Sequence, residues 1–242
     1  MCTLEKRGRV YLLTLTGDGE HRLNPTLLNA IRSALARVRS DSARAGGGSA
    51  LVTAAEGKYF SNGFDLAWAK SSPANRTTIM TSAFQHVVAD LMTLPMPTIA
   101  AVTGHASAAG FALALIHDYV VMRRDRGFLY MSELDIEIPI AEFVMALFRS
   151  KIADPRVRRD VLLRAPKITA AEAERKGIIE RAVGGAAEAV ETAVRMGEEL
   201  AEKNWNGEVY ASIRNAAFPE VCRALELAEE GDEETKRLAS KL

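Results

Sequence analysis

Apolar residues follow two rhythms along the chain. Val10-Tyr11-Leu12-Leu13-Thr14-Leu15-Thr16 is a run of strand formers closed by the turn signal Gly17-Asp18-Gly19. Leu27, Leu28, Ile31, Leu35 and Val38 then recur at helical spacing. Asn24 is placed to cap that helix, and Pro25 fits a first turn that needs no N–H. Beyond the flexible Gly46-Gly47-Gly48, residues 50–54 predict a buried strand. A long helix is predicted over 74–94, stopped by Pro95 and Pro97, with a strand over 98–102. Further strands are predicted over 118–122 and 128–131, and helices dominate from Ala141, including a capping box at Thr169-Ala170-Ala171-Glu172. From about Ala186 no strand is expected, and Met196, Leu200, Trp205, Val209, Tyr210 and Ile213 mark amphipathic helices. Strands alternating with helices and then helices alone predict an α/β core over 1–185 and a helical C-terminal subdomain over 186–239.

Charge narrows the function classes. Lys+Arg and Asp+Glu both number 31, so the net charge is zero, against the basic excess of a nucleic-acid binder. No apolar run approaches the length of a membrane span. Cys2 and Cys222 form no disulfide framework, and no His/Cys/Asp cluster has ligand spacing, so no metal is expected. Ser240-Lys241-Leu242 matches the C-terminal tripeptide read by the peroxisomal import receptor. Peroxisomal localisation with that receptor as a partner is therefore expected, and the acidic run 229–234 keeps the tail solvated.

Two strand-to-helix turns carry candidate chemistry: Tyr59-Phe60-Ser61-Asn62-Gly63-Phe64-Asp65-Leu66 and Gly104-His105-Ala106-Ser107-Ala108-Ala109-Gly110-Phe111. Amides at such helix starts lack intrahelical partners and carry the positive end of the dipole. Two of them converging on one point would form an oxyanion hole, each donor worth about 3–4 kcal/mol. Either turn alone is no more than a tight turn.

Together with Pro97-Thr98-Ile99-Ala100-Ala101-Val102-Thr103-Gly104-His105-Ala106, Ala108-Ala109-Gly110 and Asp118, these turns resemble the crotonase (enoyl-CoA hydratase/isomerase) superfamily from about Leu12 to Gly184. The start of the chain, residues 129–136 and residues 205–210 are similar to its plant peroxisomal 3,2-enoyl-CoA isomerase branch. The resemblance implies a spiral of ββα units with C-terminal helices that mediate oligomerisation, a homotrimer or hexamer. It also implies a fatty acyl-CoA substrate and no separate cofactor. By motif position the oxyanion donors are the N–H groups of Phe64 and Ala109. Contacts to the CoA portion fall on Leu23, Ser61, Asn62, Gly63, Asp65, Leu66 and Gly110. Relatives carry three glycines where this chain has Ala108-Ala109-Gly110, a change that is tolerable if φ stays negative.

Hydratases of the superfamily hold water between two glutamates. The first position is Ala112 here, and the second matches Glu133. One carboxylate without its partner suits a double-bond shift, in which a single base takes a proton from C2 and returns it at C4. Glu142 is the alternative base, and Glu137 stands where relatives carry glycine. A hydratase, a dienoyl-CoA isomerase and a non-catalytic acyl-CoA binder are the competing readings. His105 is a weak candidate, His117 reads as structural, and His21 and His86 have no partner at ligand spacing. The stripe Phe84, Val87, Val88, Leu91 and Met92 reads as core, with acyl-tunnel lining as the alternative.

Overall fold

The computed structural model describes residues 1–71 and 75–227; Ala74, the acidic run 229–234 and Ser240-Lys241-Leu242 lie outside the described residues. The chain opens with β1 (Cys2–Arg7), β2 (Val10–Leu15) and α1 (Pro25–Ala45). Next come β3 (Ala50–Ala55), β4 (Tyr59–Ser61), α2 (Leu66–Lys70) and α3 (Arg76–Met92). They are followed by β5 (Thr98–Val102), β6 (His105–Ser107), α4 (Ala109–Leu115), β7 (Tyr119–Arg123) and β8 (Leu129–Tyr130). The remainder is α5 (Glu142–Lys151), α6 (Pro155–Leu163), α7 (Ala170–Arg175), β9 (Arg181–Val183), α8 (Ala186–Ala201), α9 (Gly207–Ala217) and α10 (Pro219–Ala224).

Two sheets result. The larger has the order β1-β2-β3-β5-β7-β9, antiparallel only between β1 and β2; the smaller has the order β4-β6-β8. Each spiral turn lends one strand to each sheet before its helix: β3 then β4, β5 then β6, β7 then β8. Local signals fix the helix ends. The Asn24 side chain accepts from the Leu27 amide at 3.1 Å, a cap worth about 1 kcal/mol, and α1 stops at Gly46 in a left-handed conformation.

The main core lies between the large sheet and α1, α3, α4 and α5, and Phe84, Val87, Val88 and Met92 are fully buried in it. The opposite face of the sheet is covered by α8, whose Ala189 and Ala193 pack against Val10, Ala50 and Ile99. A helix assigned from sequence to a separate subdomain starting at 186 therefore completes the core. Its small residues allow the close approach: a Cβ on Gly197 would stand 2.9 Å from a Val10 methyl.

Four strands, β1, β4, β6 and β9, were not anticipated by the hydrophobic pattern. β1 is a largely exposed edge strand, and the other three have three residues each, too short to display a period.

Candidate active site

Three groups converge on one end of the small sheet. β4, β6 and β8 run parallel, with Ser61 beside Ala106 and Ser107 beside Tyr130. Their carboxyl ends are therefore neighbours, the end at which parallel sheets present ligands. The chain leaving these ends carries Phe64, Ala109 and Glu133.

The Phe64 turn is stitched to the segment before α1. The Leu23 amide donates to the Gly63 carbonyl at 2.8 Å, and the Asp65 amide donates to the Leu23 carbonyl at 3.1 Å. Amides alternate along extended chain, so the Phe64 N–H points away from Leu23, and it has no acceptor among the described residues. The Ala109 N–H opens α4 and is likewise free, as the first amides of a helix are. The turns touch: a Cβ on Gly63 would lie 3.0 Å from the Ala108 Cβ and 3.5 Å from the Ala109 nitrogen.

Ala108 does not meet the condition of negative φ. Its φ is +52 and its ψ −124, a conformation natural to glycine, whereas Ala109 keeps helical geometry. The Ala108 amide donates to the Tyr130 carbonyl at 2.7 Å, which pins the strained residue to β8.

β8 delivers Glu133 through a compact turn. The Ser132 carbonyl accepts from Asp135 and Ile136, and the Glu133 carbonyl accepts from Ile138 at 3.0 Å. The Tyr130 hydroxyl straps the turn by donating to Asp135. The Glu133 Oε2 is buried with no hydrogen-bond partner, and burial pushes the carboxyl above its ordinary range. Glu133 opens into a cavity of about 440 Å³ whose other lining is mostly apolar. A larger cavity, about 1070 Å³, lies between the Gly46–Gly48 loop and α9 and touches none of Phe64, Ala109 and Glu133, whereas the smaller one is lined by Glu133.

The other predicted residues divide. Glu142 lies outside that lining; it is 72% exposed and pairs with Arg149 at 2.5 Å, a poor setting for a base that must meet an apolar carbon. Glu137 is exposed with φ +55, taking the left-handed conformation that a glycine would supply. Ala112 is fully buried within α4. Leu23, Ser61 and Gly110, expected to touch CoA, are buried. They hold the turns from behind: the Ser61 hydroxyl donates to the His21 carbonyl at 2.8 Å and accepts from Gly63. Gly63 is buried as well, while Asn62, Asp65 and Leu66 remain partly exposed around Phe64. Asp65 caps α2 through the Trp68 amide at 2.9 Å and also accepts from Asn24.

The histidines stand apart from this chemistry. His117 is buried between the Leu113 carbonyl and the Thr53 hydroxyl, and His86 is exposed. His105 opens β6 with its ring packed against Tyr59 and Phe128. Its pKa is lowered by burial first, then by Lys58, Arg126, Lys167 and Arg123. The His21 ring contacts the Tyr59 carbonyl at 3.0 Å. Among the described residues no group of three or more His, Cys, Asp or Glu could hold a metal ion. No described helix is long and apolar enough to cross a membrane.

Sequence reasoning missed Arg214 and the apolar lining from α5 and α6. Neither carries a local signal, because a charged residue on an amphipathic helix reads as solvent-facing.

Two free main-chain amides and a desolvated, unpartnered carboxyl, carried on chain leaving neighbouring strand ends, are the kinds of group that an enzyme uses to stabilise an oxyanion while moving a proton. The enoyl-CoA hydratase/isomerase profile matches residues 6–230. Over 221 residues the chain is 54% identical to the enoyl-CoA delta isomerase 1, peroxisomal, of Arabidopsis thaliana, covering 91% of each. It is 49% identical over 231 residues to enoyl-CoA delta isomerase 3 of the same plant, covering 94% of this chain and 96% of the relative. Among solved structures, an enoyl-CoA hydratase from Mycobacterium ulcerans superposes with a TM-score of 0.81 at 22% identity, over 97% of this chain and 99% of that one, a likeness of fold. The chain belongs to the enoyl-CoA hydratase/isomerase family, and its α/β spiral is the crotonase fold.

Proposed function

We propose that this protein is a 3,2-enoyl-CoA isomerase that converts 3-enoyl-CoA into trans-2-enoyl-CoA. The thioester oxygen accepts hydrogen bonds from the Phe64 and Ala109 amides. The Glu133 carboxylate takes a proton from C2, the negative charge spreads onto that oxygen as an enolate, and the same carboxyl returns the proton at C4. No water is consumed and no cofactor is used, since CoA is part of the substrate. The CoA portion leaves along Asn62, Asp65 and Leu66, which retain exposed surface.

One observation carries the choice of isomerisation over hydration: Glu133 stands without a carboxylate partner. Ala112 is buried where a water-holding glutamate would stand, and Glu142 is exposed and engaged by Arg149. The names of the Arabidopsis relatives support the same reading.

The test supplies purified protein with 3-hexenoyl-CoA and with 2-hexenoyl-CoA. Conjugated-enoyl absorbance should grow from the first and should not decay through hydration of the second. Hydration of the second would establish a hydratase, and silence on both would leave a binding protein.

We further propose a peroxisomal location and a homotrimeric or hexameric assembly. Two relatives named peroxisomal and the Ser240-Lys241-Leu242 motif support the location. Deleting Leu242 should abolish import by the peroxisomal receptor. The exposed apolar side chains Trp205, Val209 and Ile213 support a subunit contact at α9, which sedimentation would measure.

A further inference from the structure

The turn that carries Glu133 is bonded mainly to itself. Its main-chain hydrogen bonds run from Asp135 and Ile136 to Ser132, from Glu137 to Leu134 and from Ile138 to Glu133. Packing adds little restraint, since Leu134, Ile136 and Ile138 are 54%, 41% and 37% exposed. Among the described residues, one hydrogen bond ties 132–138 to the rest of the chain: the Tyr130 hydroxyl donates to Asp135.

Tyr130 is itself well fixed. It closes β8 beside Ser107 of β6, and its carbonyl accepts from the Ala108 amide at 2.7 Å. Ala108 immediately precedes Ala109, whose amide is a proposed oxyanion donor. The Tyr130 ring meets Phe128 edge to face at 6.0 Å between centroids, and the Lys167 Nζ lies 5.6 Å over it. The hydrogen bond to Asp135, then burial, raises the phenol above its ordinary 10, so the hydroxyl keeps the proton it donates at neutral pH.

One residue therefore touches both halves of the proposed machinery, the oxyanion turn through its main chain and the base-bearing turn through its side chain. Resting on the isomerase reading, we propose that Tyr130 is a positioning residue: through Asp135, its hydroxyl holds the Glu133 turn at a fixed separation from the Ala109 amide. A reacting group displaced by about 1 Å can lose on the order of 10²-fold in rate. The bound thioester keeps its other contacts, so the strap acts on kcat and leaves KM alone.

Tyr130→Phe tests this, because it removes the hydroxyl and keeps the ring and the main chain. With 3-hexenoyl-CoA, kcat should fall roughly 10- to 100-fold while KM stays within about twofold. The thermal midpoint should stay near that of wild type, since the lost bond is exposed. Asp135→Asn keeps an oxygen acceptor and should retain most of the activity, whereas Asp135→Ala should match Tyr130→Phe. Tyr130→Phe combined with Asp135→Ala should be no slower than either alone, because both remove the same bond. Wild-type kcat in Tyr130→Phe, or losses that multiply in the double variant, would overturn the strap and leave the isomerase reading intact. A raised KM at unchanged kcat would make the hydroxyl a binding contact and overturn the strap as well. Wild-type protein that fails to isomerise 3-hexenoyl-CoA would sink the isomerase reading, and the proposal with it.

Discussion

Arg214, on α9, grips both carboxylate oxygens of Asp118 at 2.7 and 2.6 Å. The same guanidinium donates to the carbonyls of Leu91, Met92, Leu94 and Met96, so one side chain ties α9 to the end of α3 and to the start of β5. Both partners are nearly buried, at 3% and 11% side-chain exposure. Removing one leaves the other charged and unpaired. Arg214→Ala should cost about 3–5 kcal/mol in chemical denaturation, and Arg214→Lys should recover little because a lysine lacks the planar fork. A loss below about 1 kcal/mol would show the pair to be dispensable.

Asp118 adds a pH signature. Burial raises its pKa, but the Arg214 hydrogen bonds and charge outweigh burial and leave it below its ordinary 3.8. The stabilisation is therefore complete above that ordinary value and is lost as pH falls through the lowered one. The stability gap between wild type and Asp118→Asn should stay level down to about pH 3.8 and narrow only in stronger acid.

Glu133 shows the opposite sign. Burial raises its pKa above the ordinary 4.5, so its charged form weakens the fold once pH climbs past the raised value. As the proposed base it must nevertheless be ionised to work. The acidic limb of kcat/KM should therefore have its midpoint above 4.5. Glu133→Gln should lose roughly 10²–10⁴ in turnover while unfolding at higher urea than wild type at neutral pH. Glu142→Gln should stay within about twofold of wild type. A midpoint at or below 4.5, or full activity in Glu133→Gln, would remove Glu133 from the mechanism.

His117 should dominate mild acid destabilisation. Burial pushes its pKa from 6.5 down to about 4, opposed by the Leu113 carbonyl and by Asp118 and reinforced by Lys151. A base with a lowered pKa stabilises above its ordinary value, and that contribution is lost as pH falls towards the folded one. Unfolding free energy should drop by roughly 3 kcal/mol between pH 6.5 and 4 from this group alone. His117→Gln should remove most of that slope.

Ala108 and Glu137 both hold positive φ, at +52 and +55. Relieving each with glycine should gain about 1 kcal/mol after the extra freedom of the unfolded chain is counted, or roughly 2–4 °C in Tm. Differential scanning calorimetry would read the shift, and a lower Tm in Glu137→Gly would show that its conformation costs nothing.

The inner strands of the large sheet and the long helices could be read directly from sequence, because β2, α1, β3, α3 and β5 each carry an apolar run long enough to be recognised. The edge strands β1 and β9 could not, nor could two of the three strands of the small sheet. Tyr59–Ser61 and His105–Ser107 are three-residue strands inside stretches that read as polar or small-residue loops. Motif order pointed to Phe64, Ala109 and Glu133, but their common location depends on pairing between strands distant in sequence. Arg214 was equally silent, since its partners lie more than ninety residues away. The positive φ at Ala108 could not be read from the sequence, because composition records the methyl but not the bend imposed on it.

Gly110 shows how little room that arrangement leaves. A methyl there would stand 2.3 Å from the Ser61 carbonyl oxygen, so the two oxyanion turns meet backbone to backbone. The spacing of the proposed hole is thus gauged by a missing side chain. Even the smallest addition, Gly110→Ala, would act as a shim and drive the proposed donors apart.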